Sequence, residues 1–387
     1  MKIENCQAGS EAARVKDALK KIAAPLLNWY PSNARDLPWR HTRDPYRIWI
    51  SEIMLQQTRV SAVLDYYRRF LEKFPDVYAL AAAPEEDLLS LWQGLGYYSR
   101  ARNLQRAARQ IAALGAFPDN YPDLLKLPGV GDYTAAAIAS AAFALPYPAI
   151  DGNALRVIAR LADCHLNISA PETKKIFGAA LPINLLQSKS EIRIFNQSVM
   201  ELGAVICVPN GPPHCDICPL SAQCLARQNH TIEILPVKAA KKARRVEHHT
   251  ILILSRFDPA EYQTDSPTGD PGAYRVAARK RPESGLLANL WEFPNLPGEL
   301  SETEIAAQIH DWNFNILHWH QKISAKHIFT HIEWHMTGYL LTVSGPGDSD
   351  FQWLDAQNLQ TYAIPSAFAK FRSVALDNLE NLNHFNQ

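Results

Sequence analysis

The sequence predicts a mostly α N-terminal part joined by a basic linker to a separate α+β C-terminal domain. Three observations predict it. Apolar residues recur at helical spacing through roughly the first 230 residues, with no sustained strand-like alternation. After Leu235-Pro236 the pattern changes to short runs rich in Ile, Leu, Val and Tyr. Between the two lie Lys238, Lys241, Lys242, Arg244 and Arg245. A chain of 387 residues has room for two cores, at roughly 100–200 residues each. The expected divisions are 1–234, a linker at 235–247, and 248–387.

Helical spacing predicts helices over Asp44–Gln56, Arg59–Phe74, Glu85–Trp92, Arg100–Leu114, Tyr133–Phe143, Ala154–Leu161 and Ile192–Cys207. Pro75, Pro84, Gly94, Gly96, Pro118, Pro128, Gly129, Gly131 and Gly152 punctuate them. In the second part, His249–Ser255, Tyr274–Ala278, Ile316–Ile323 and Tyr339–Val343 have strand character, and helices are expected near Ser301–His310 and Ala367–Leu382. Asp258–Gly272, rich in Asp, Pro, Gly and Thr, is expected to be a loop between two strands.

Hydrophobic residues make up 47% and charged residues 20%, an ordinary globular balance. No apolar stretch approaches the roughly 18 residues of a membrane helix, and the charged N-terminus has no apolar centre to serve as a secretory signal. A soluble, cytoplasmic protein without membrane partners is expected. Net charge is zero, so the overall balance does not point to a nucleic-acid partner. The local basic run reads as a solvated linker that also offers a binding patch.

Six cysteines are present, four of them clustered as Cys207, Cys215, Cys218 and Cys224 in a C-x7-C-x2-C-x5-C pattern. A disulfide framework would spread through a small secreted chain instead. Four clustered thiolates suit either a [4Fe–4S] cluster or a structural zinc. Zinc knuckles usually pair two close hooks, and the single close pair here favours iron–sulfur. His214 reads as a surface residue, and Cys6 and Cys164 as inert.

Leu127-Pro-Gly-Val-Gly131 falls between two expected helices. Its glycines permit a tight turn and close approach, and the helix that follows starts with free N–H groups. Such a terminus can hold a phosphate without reading sequence. A plain helix–helix turn is the alternative. Upstream, Glu52 is flanked by Ile50, Ile53, Met54 and Leu55, a setting that raises a carboxyl pKa by desolvation. Downstream, Asp151 opens a helix, where N–H donors and the helix dipole favour the ionised form; the plain reading is an N-cap. One carboxyl tuned as an acid and one tuned to stay charged is the pairing that glycosidic-bond cleavage requires.

Together with Leu37-Pro-Trp-Arg40, Trp49-Ile-Ser-Glu-Ile-Met-Leu-Gln-Gln-Thr58, Gly94-Leu-Gly-Tyr-Tyr-Ser-Arg-Ala-Arg-Asn103, Ile150-Asp-Gly-Asn153 and Glu201-Leu-Gly-Ala204, these residues resemble the adenine DNA glycosylases of the MutY type, within the endonuclease III superfamily. The resemblance covers roughly residues 25–380. It implies a helix-hairpin-helix glycosylase fold with an iron–sulfur cluster loop, followed by a Nudix-like domain. The implied substrate is adenine opposite 8-oxoguanine or guanine in duplex DNA, flipped out of the stack, and the implied working form is a monomer. By resemblance Glu52 protonates adenine N7 and Asp151 stabilises the sugar cation, supported by Tyr133 and Asn153. Arg35, Arg40 and Glu201 would surround the flipped base, Gln57, Leu95 and Tyr97 would meet the duplex, and Gly129 and Gly131 would anchor it. Strand-cutting relatives carry a lysine where Tyr133 stands. A tyrosine cannot supply the amine for a Schiff base, so a monofunctional enzyme is implied.

Gly285-Leu-Leu-Ala-Asn-Leu-Trp-Glu-Phe-Pro294 is the best Nudix-like match, but the residues after Pro294 lack the acidic run that binds magnesium. Reading the lesion, rather than cleaving pyrophosphates, is the implied role. Phe329-Thr-His331 matches the family's Phe-Ser-His element, so Thr330 and His331 would contact 8-oxoguanine, with Thr330 retaining the hydroxyl of the commoner serine. The family commonly separates its first two cluster cysteines by six residues; here there are seven. Rival readings are another glycosylase specificity, a non-catalytic DNA-binding protein with a structural metal, and a nucleotide pyrophosphatase.

Overall fold

The computed structural model describes residues 2–240, 243–258 and 273–384. They fall into two units, Met1–Ala82 with Arg102–Ala240, and Ala83–Ala101 with Lys241–Gln387. Lys241, Lys242, the 259–272 part of the expected loop and the side chain of Cys6 lie outside what is described.

The first unit is helical. Helix Pro45–Leu55 starts where Asp44 accepts a hydrogen bond from the Tyr46 N–H, with proline at its first position. It buries Trp49, Ile50, Ile53 and Met54 and packs against helix Asp132–Phe143. That partner is lined by Ala135, Ala136 and Ala139, small enough for close approach. Helix Gly152–Leu161 packs on Lys189–Val205, the latter opened by a capping box of Ser188 and Glu191. At their crossing, a Cβ on Gly203 would lie 2.6 Å from the Asn153 Cβ; only glycine lets the two backbones meet there. Two helices not expected from the sequence, Lys2–Leu19 and Pro171–Ala180, pack against each other. The first brings Val15 and Leu19 into the core, but polar residues dilute its apolar period.

The second unit is built on strands β1 (Arg245–Asp258), β2 (Ala273–Lys280), β3 (Trp291–Glu292), β4 (Asn295–Pro297), β5 (Asn315–Ile328), β6 (Ile332–Ser344) and β7 (Gln352–Leu354). The order is β3-β2-β1-β6-β5, with β4 paired to β1 and β7 to β2. β1 and β6 run parallel, Leu252 opposite Tyr339. β1 is buried on both faces, which is why it reads as a continuous apolar run. Ile251 and Ile253 face Phe368, Phe371 and Leu379 on one side. Leu252 and Leu254 face Ile305 and Ile309 of helix Glu302–Asp311 on the other. β5 and β6 form a long hairpin whose connection is Phe329-Thr330-His331.

Helix Glu85–Trp92, expected as part of the N-terminal domain, is fastened within this second unit. Gln93 Nε2 donates to the Ile364 carbonyl at 2.9 Å, Ser90 Oγ to the Thr361 carbonyl at 3.3 Å, and Lys280 lies 3.6 Å from Glu86. Its helical spacing was legible; the surface that covers it was not. Among the described residues no helix is long and apolar enough to cross a membrane.

Candidate active site

A cavity of about 340 Å³ in the first unit gathers the residues expected to do chemistry: Glu52 and Gln57, Tyr133, Asp151 and Asn153, and Arg35, Arg40 and Glu201. Helix Pro45–Leu55, buried nearly all round, supplies Glu52, and helix Asp132–Phe143 brings Tyr133 alongside. The Tyr133 hydroxyl donates to Glu52 Oε2 at 2.7 Å. Burial pushes the Glu52 carboxyl up to about 7, helped by the nearby Asp151 charge and opposed by the Tyr133 bond and Arg40. Burial, with Glu52 and Asp151 beside it, holds the Tyr133 phenol well above its ordinary value, so it stays a donor.

Asp151 is the N-cap of helix Gly152–Leu161. Its Oδ1 accepts from the Ala154 N–H at 2.7 Å and its Oδ2 from Asn153 Nδ2 at 2.8 Å. Burial nevertheless raises its pKa, and the donors from Ala154 and Asn153 with the Arg156 charge reverse only part of that rise. The expectation of a carboxyl held low by its helix terminus is corrected: the cap is present, but desolvation outweighs it. Arg156 holds the other end of Asn153, donating to its Oδ1 at 2.8 Å and to the Gly203 and Cys207 carbonyls at 2.7 and 2.8 Å.

On the wall formed by helix Lys189–Val205, Glu201 is 0% exposed. It accepts from Arg35 Nε at 2.8 Å, Arg35 Nη2 at 2.7 Å and the Arg35 N–H at 2.9 Å, and from Arg40. Burial alone would raise this carboxyl; the hydrogen bonds from the two arginines bring it down to about 2. The cavity therefore holds three carboxyls: Glu52 poised near neutrality, Asp151 capped but raised by burial, and Glu201 kept charged by its arginines.

The hairpin has the form expected. Gly129 has φ +76 and a Cβ there would sit 2.8 Å from Asn103 Cβ, whereas Gly131 is an extended N-cap with open space around it.

Residues 50–182 match the HhH-GPD superfamily base excision DNA repair protein family, and residues 271–373 match the NUDIX domain. An adenine DNA glycosylase of Arabidopsis thaliana is 38% identical over 72% of this chain and 48% of its own length. One of Mus musculus is 34% identical over 89% of this chain and 76% of its own. The chain belongs to the adenine DNA glycosylases. A solved thermostable thymine-DNA glycosylase is 31% identical over 55% of this chain and 98% of its own, with a TM-score of 0.49.

In this family member, Gln57 and Tyr97, the residues expected to wedge into the duplex, are both exposed and both left-handed, with φ of 57 and 48. A side chain in that region costs about 1–2 kcal/mol. Nothing in the sequence signalled this strain. Leu95, expected at the duplex, is instead buried beneath its loop, where Leu95 N–H bonds the Trp92 carbonyl and Arg100 Nη2 its own carbonyl at 2.9 Å. Thr330 and His331 are exposed at the tip of the β5–β6 hairpin. The Phe329 N–H closes that turn on the Ile332 carbonyl at 2.8 Å, and the His331 carbonyl accepts from Arg245 N–H at 3.0 Å.

The cysteines require a correction. Cys207, Cys215, Cys218 and Cys224 line one small apolar cavity with Val157, Leu161 and Leu202. Among the described residues, however, no group of three or more His, Cys, Asp or Glu is placed to hold a metal ion. The expected [4Fe–4S] cluster, and the cluster loop with it, does not stand. Burial raises the thiols of Cys215 and Cys224 and pushes Cys218 up to about 11, which favours the thiol over the thiolate that ligation needs. Arg160 Nη1 donates to the Cys207 sulfur at 3.3 Å, and the Cys224 thiol donates to the Arg160 carbonyl at 3.5 Å. Spacing brought these residues to one place in the fold, but spacing does not report how sulfurs are aimed. The segment is held by its backbone instead: Arg156 and Arg160 donate to the carbonyls of Cys207 and Val208.

Proposed function

We propose that this chain excises adenine mispaired with 8-oxoguanine or guanine from duplex DNA, hydrolysing the N-glycosidic bond and leaving an abasic site. The observation that carries the reading is Glu52: a carboxyl with a pKa near 7, bonded by Tyr133 and sharing its cavity with Asp151. A group poised there is protonated often enough to give a proton and basic enough to be recharged. Glu52 protonates the flipped adenine, weakening its bond to the sugar. Asp151 as the anion stabilises the oxocarbenium ion that develops. Once the substrate's positive charge is present, the burial that raises Asp151 also strengthens its attraction to that charge. Asn153 fixes the orientation of Asp151, and Tyr133 that of Glu52. The charged Glu201–Arg35–Arg40 group lines the base's side of the cavity and offers it polar contacts.

Gly131 and the N–H groups that follow would hold a backbone phosphate. Gln57 and Tyr97 would enter the stack, while Thr330 and His331 would meet the partner base. The protein is proposed to act as a monomer, with the 235–247 linker separating its glycosylase part from its lesion-reading part. Pyrophosphatase activity is not expected.

A glycosylase assay on duplexes with adenine opposite 8-oxoguanine, with and without alkali, tests the reading. Strand breaks are expected only after alkali, because Tyr133 offers no amine; breaks without alkali would refute monofunctional chemistry. Asp151→Asn keeps an oxygen for the Ala154 cap but turns its amide toward the Asn153 amide. Base release should fall by at least about a thousandfold while lesion binding persists, and unchanged turnover would remove Asp151 from the mechanism.

A further inference from the structure

We propose that Asn196 and the stacked rings of Tyr121 and Tyr147 are positioning residues for Asp151, pinning the segment that carries it to the same hairpin proposed to hold the DNA backbone. The inference rests on the function proposed above for Asp151 and the hairpin. Residues 144–151 run from the end of helix Asp132–Phe143 to the start of helix Gly152–Leu161, with no helix or strand of their own. Such a segment has no ladder of its own to hold it, and its buried polar groups must find partners elsewhere.

Asn196, on helix Lys189–Val205, supplies them. It is 2% exposed. Its Oδ1 accepts from the Ala149 N–H at 3.1 Å, and its Nδ2 donates to the Tyr147 carbonyl at 2.8 Å and to Ser140 Oγ at 2.9 Å. One side chain thus joins the segment, the helix before it and helix Lys189–Val205. Both ends of its amide are engaged, so its orientation is fixed. Ala149, two residues before Asp151, packs with Ala136 and Ala137 among the rings of Tyr121, Tyr133 and Tyr147. Gly178 of helix Pro171–Ala180 backs the segment: a Cβ there would sit 3.6 Å from Pro148.

The tyrosines carry the link to the hairpin. Tyr147 stacks on Tyr121 with 4.2 Å between ring centres and 8° between planes. The Tyr121 hydroxyl donates at 3.2 Å to Asp132, the first residue of the helix that follows Gly131. Burial and the Asp132 charge push the Tyr121 phenol up to about 12, so it stays a donor. A phosphate held at that helix start places the adenine's sugar relative to the hairpin, and the pinned segment places Asp151 relative to the same hairpin. The gap between the anion and the developing sugar cation is then set within one packed unit, where a misplacement of about 1 Å can cost about a hundredfold in rate.

Tyr147→Ala removes the stack and Tyr147→Phe keeps it. Asn196→Asp keeps the bond from Ala149 but turns an oxygen toward the Tyr147 carbonyl. Single-turnover adenine release at saturating DNA is expected to fall about tenfold in Tyr147→Ala and about a hundredfold in Asn196→Asp, with DNA affinity within about twofold of wild type, and to be retained in Tyr147→Phe. Adding Tyr121→Ala to Tyr147→Ala should cost no more, and neither should Tyr147→Ala in an Asp151→Asn background. Losses that multiply, a loss that higher DNA concentration recovers, or an unchanged rate in Tyr147→Ala would overturn the proposal. The Tyr147 and Tyr121 variants decide it where Asn196→Asp does not fold. Amide hydrogen exchange at Ala149 in the DNA-free protein gives a reading independent of activity. It should quicken several-fold in Tyr147→Ala but not in Tyr147→Phe, and equal exchange in both would overturn the pinning. Wild-type protein that releases no adenine would instead refute the proposed function, and the exchange comparison would still decide whether the segment is pinned.

Discussion

Glu52 shows how much a single residue can disclose before its surroundings are seen. Four apolar neighbours in the sequence pointed to desolvation, and burial is the largest cause of its raised pKa. Asp151 was legible as a cap but not as a buried group, because what buries it comes from elements distant in the chain. The raised Glu52 pKa has consequences of opposite sign for rate and for stability. If its proton is the one delivered, single-turnover base release should fall tenfold per unit above about pH 7, and fall again at low pH as Asp151 takes up a proton; a flat profile from pH 7 to 9 would count against the assignment. The folded protein also binds this proton more tightly than the unfolded chain does. The resulting stabilisation is full below about pH 4.5 and is lost as pH rises through about 7. Glu52→Gln should therefore lose at least about a hundredfold in rate, yet melt higher than wild type at pH 8, by on the order of 1–2 kcal/mol.

Among the elements, the hairpin and the helix crossing divide glycines that look alike in the sequence. Leu127-Pro-Gly-Val-Gly131 announced a turn, but nothing in it said which glycine needs the left-handed backbone. Gly129 does, and a Cβ there also meets Asn103. Gly129→Ala should destabilise the protein by about 2 kcal/mol and weaken DNA binding, whereas Gly131→Ala should leave stability within about 0.5 kcal/mol; equal melting of the two would remove the distinction. Gly203 belongs to the stretch Glu201-Leu-Gly-Ala204, where nothing in the sequence marks a role for it. Its contact with Asn153 makes it the spacer that sets Asp151's partner in place. Strands β3, β4 and β7 were missed for a different reason, since two or three residues are too few to show an alternation.

At the scale of the molecule, the two architectures were legible because a period of 3.6 and a buried strand leave different marks on a sequence. Which part claims a given helix leaves none. Residues 83–101 have helical spacing like their neighbours but group with the C-terminal sheet, through hydrogen bonds of Ser90, Gln93 and Tyr97. In a chain ended at residue 240, this segment loses those partners and should become the first site of proteolytic cutting, while the intact chain resists there. Equal resistance in both would show that the segment is held by other means. The cysteine spacing marks the opposite limit: it was the most conspicuous signal in the sequence, and the fold gathered the residues without arranging a metal-holding group among the described residues.

The left-handed backbone at Gln57 and Tyr97 has a consequence for anyone seeking a hardier version of this enzyme. Glycine at either position would relieve the strain, and a search guided by melting temperature alone would select it. Both substitutions would remove the side chain proposed to open the duplex. Thermal screening of this chain should therefore be paired with an activity screen from the first round, because two of its easiest gains in stability lie where the enzyme can least spare a side chain.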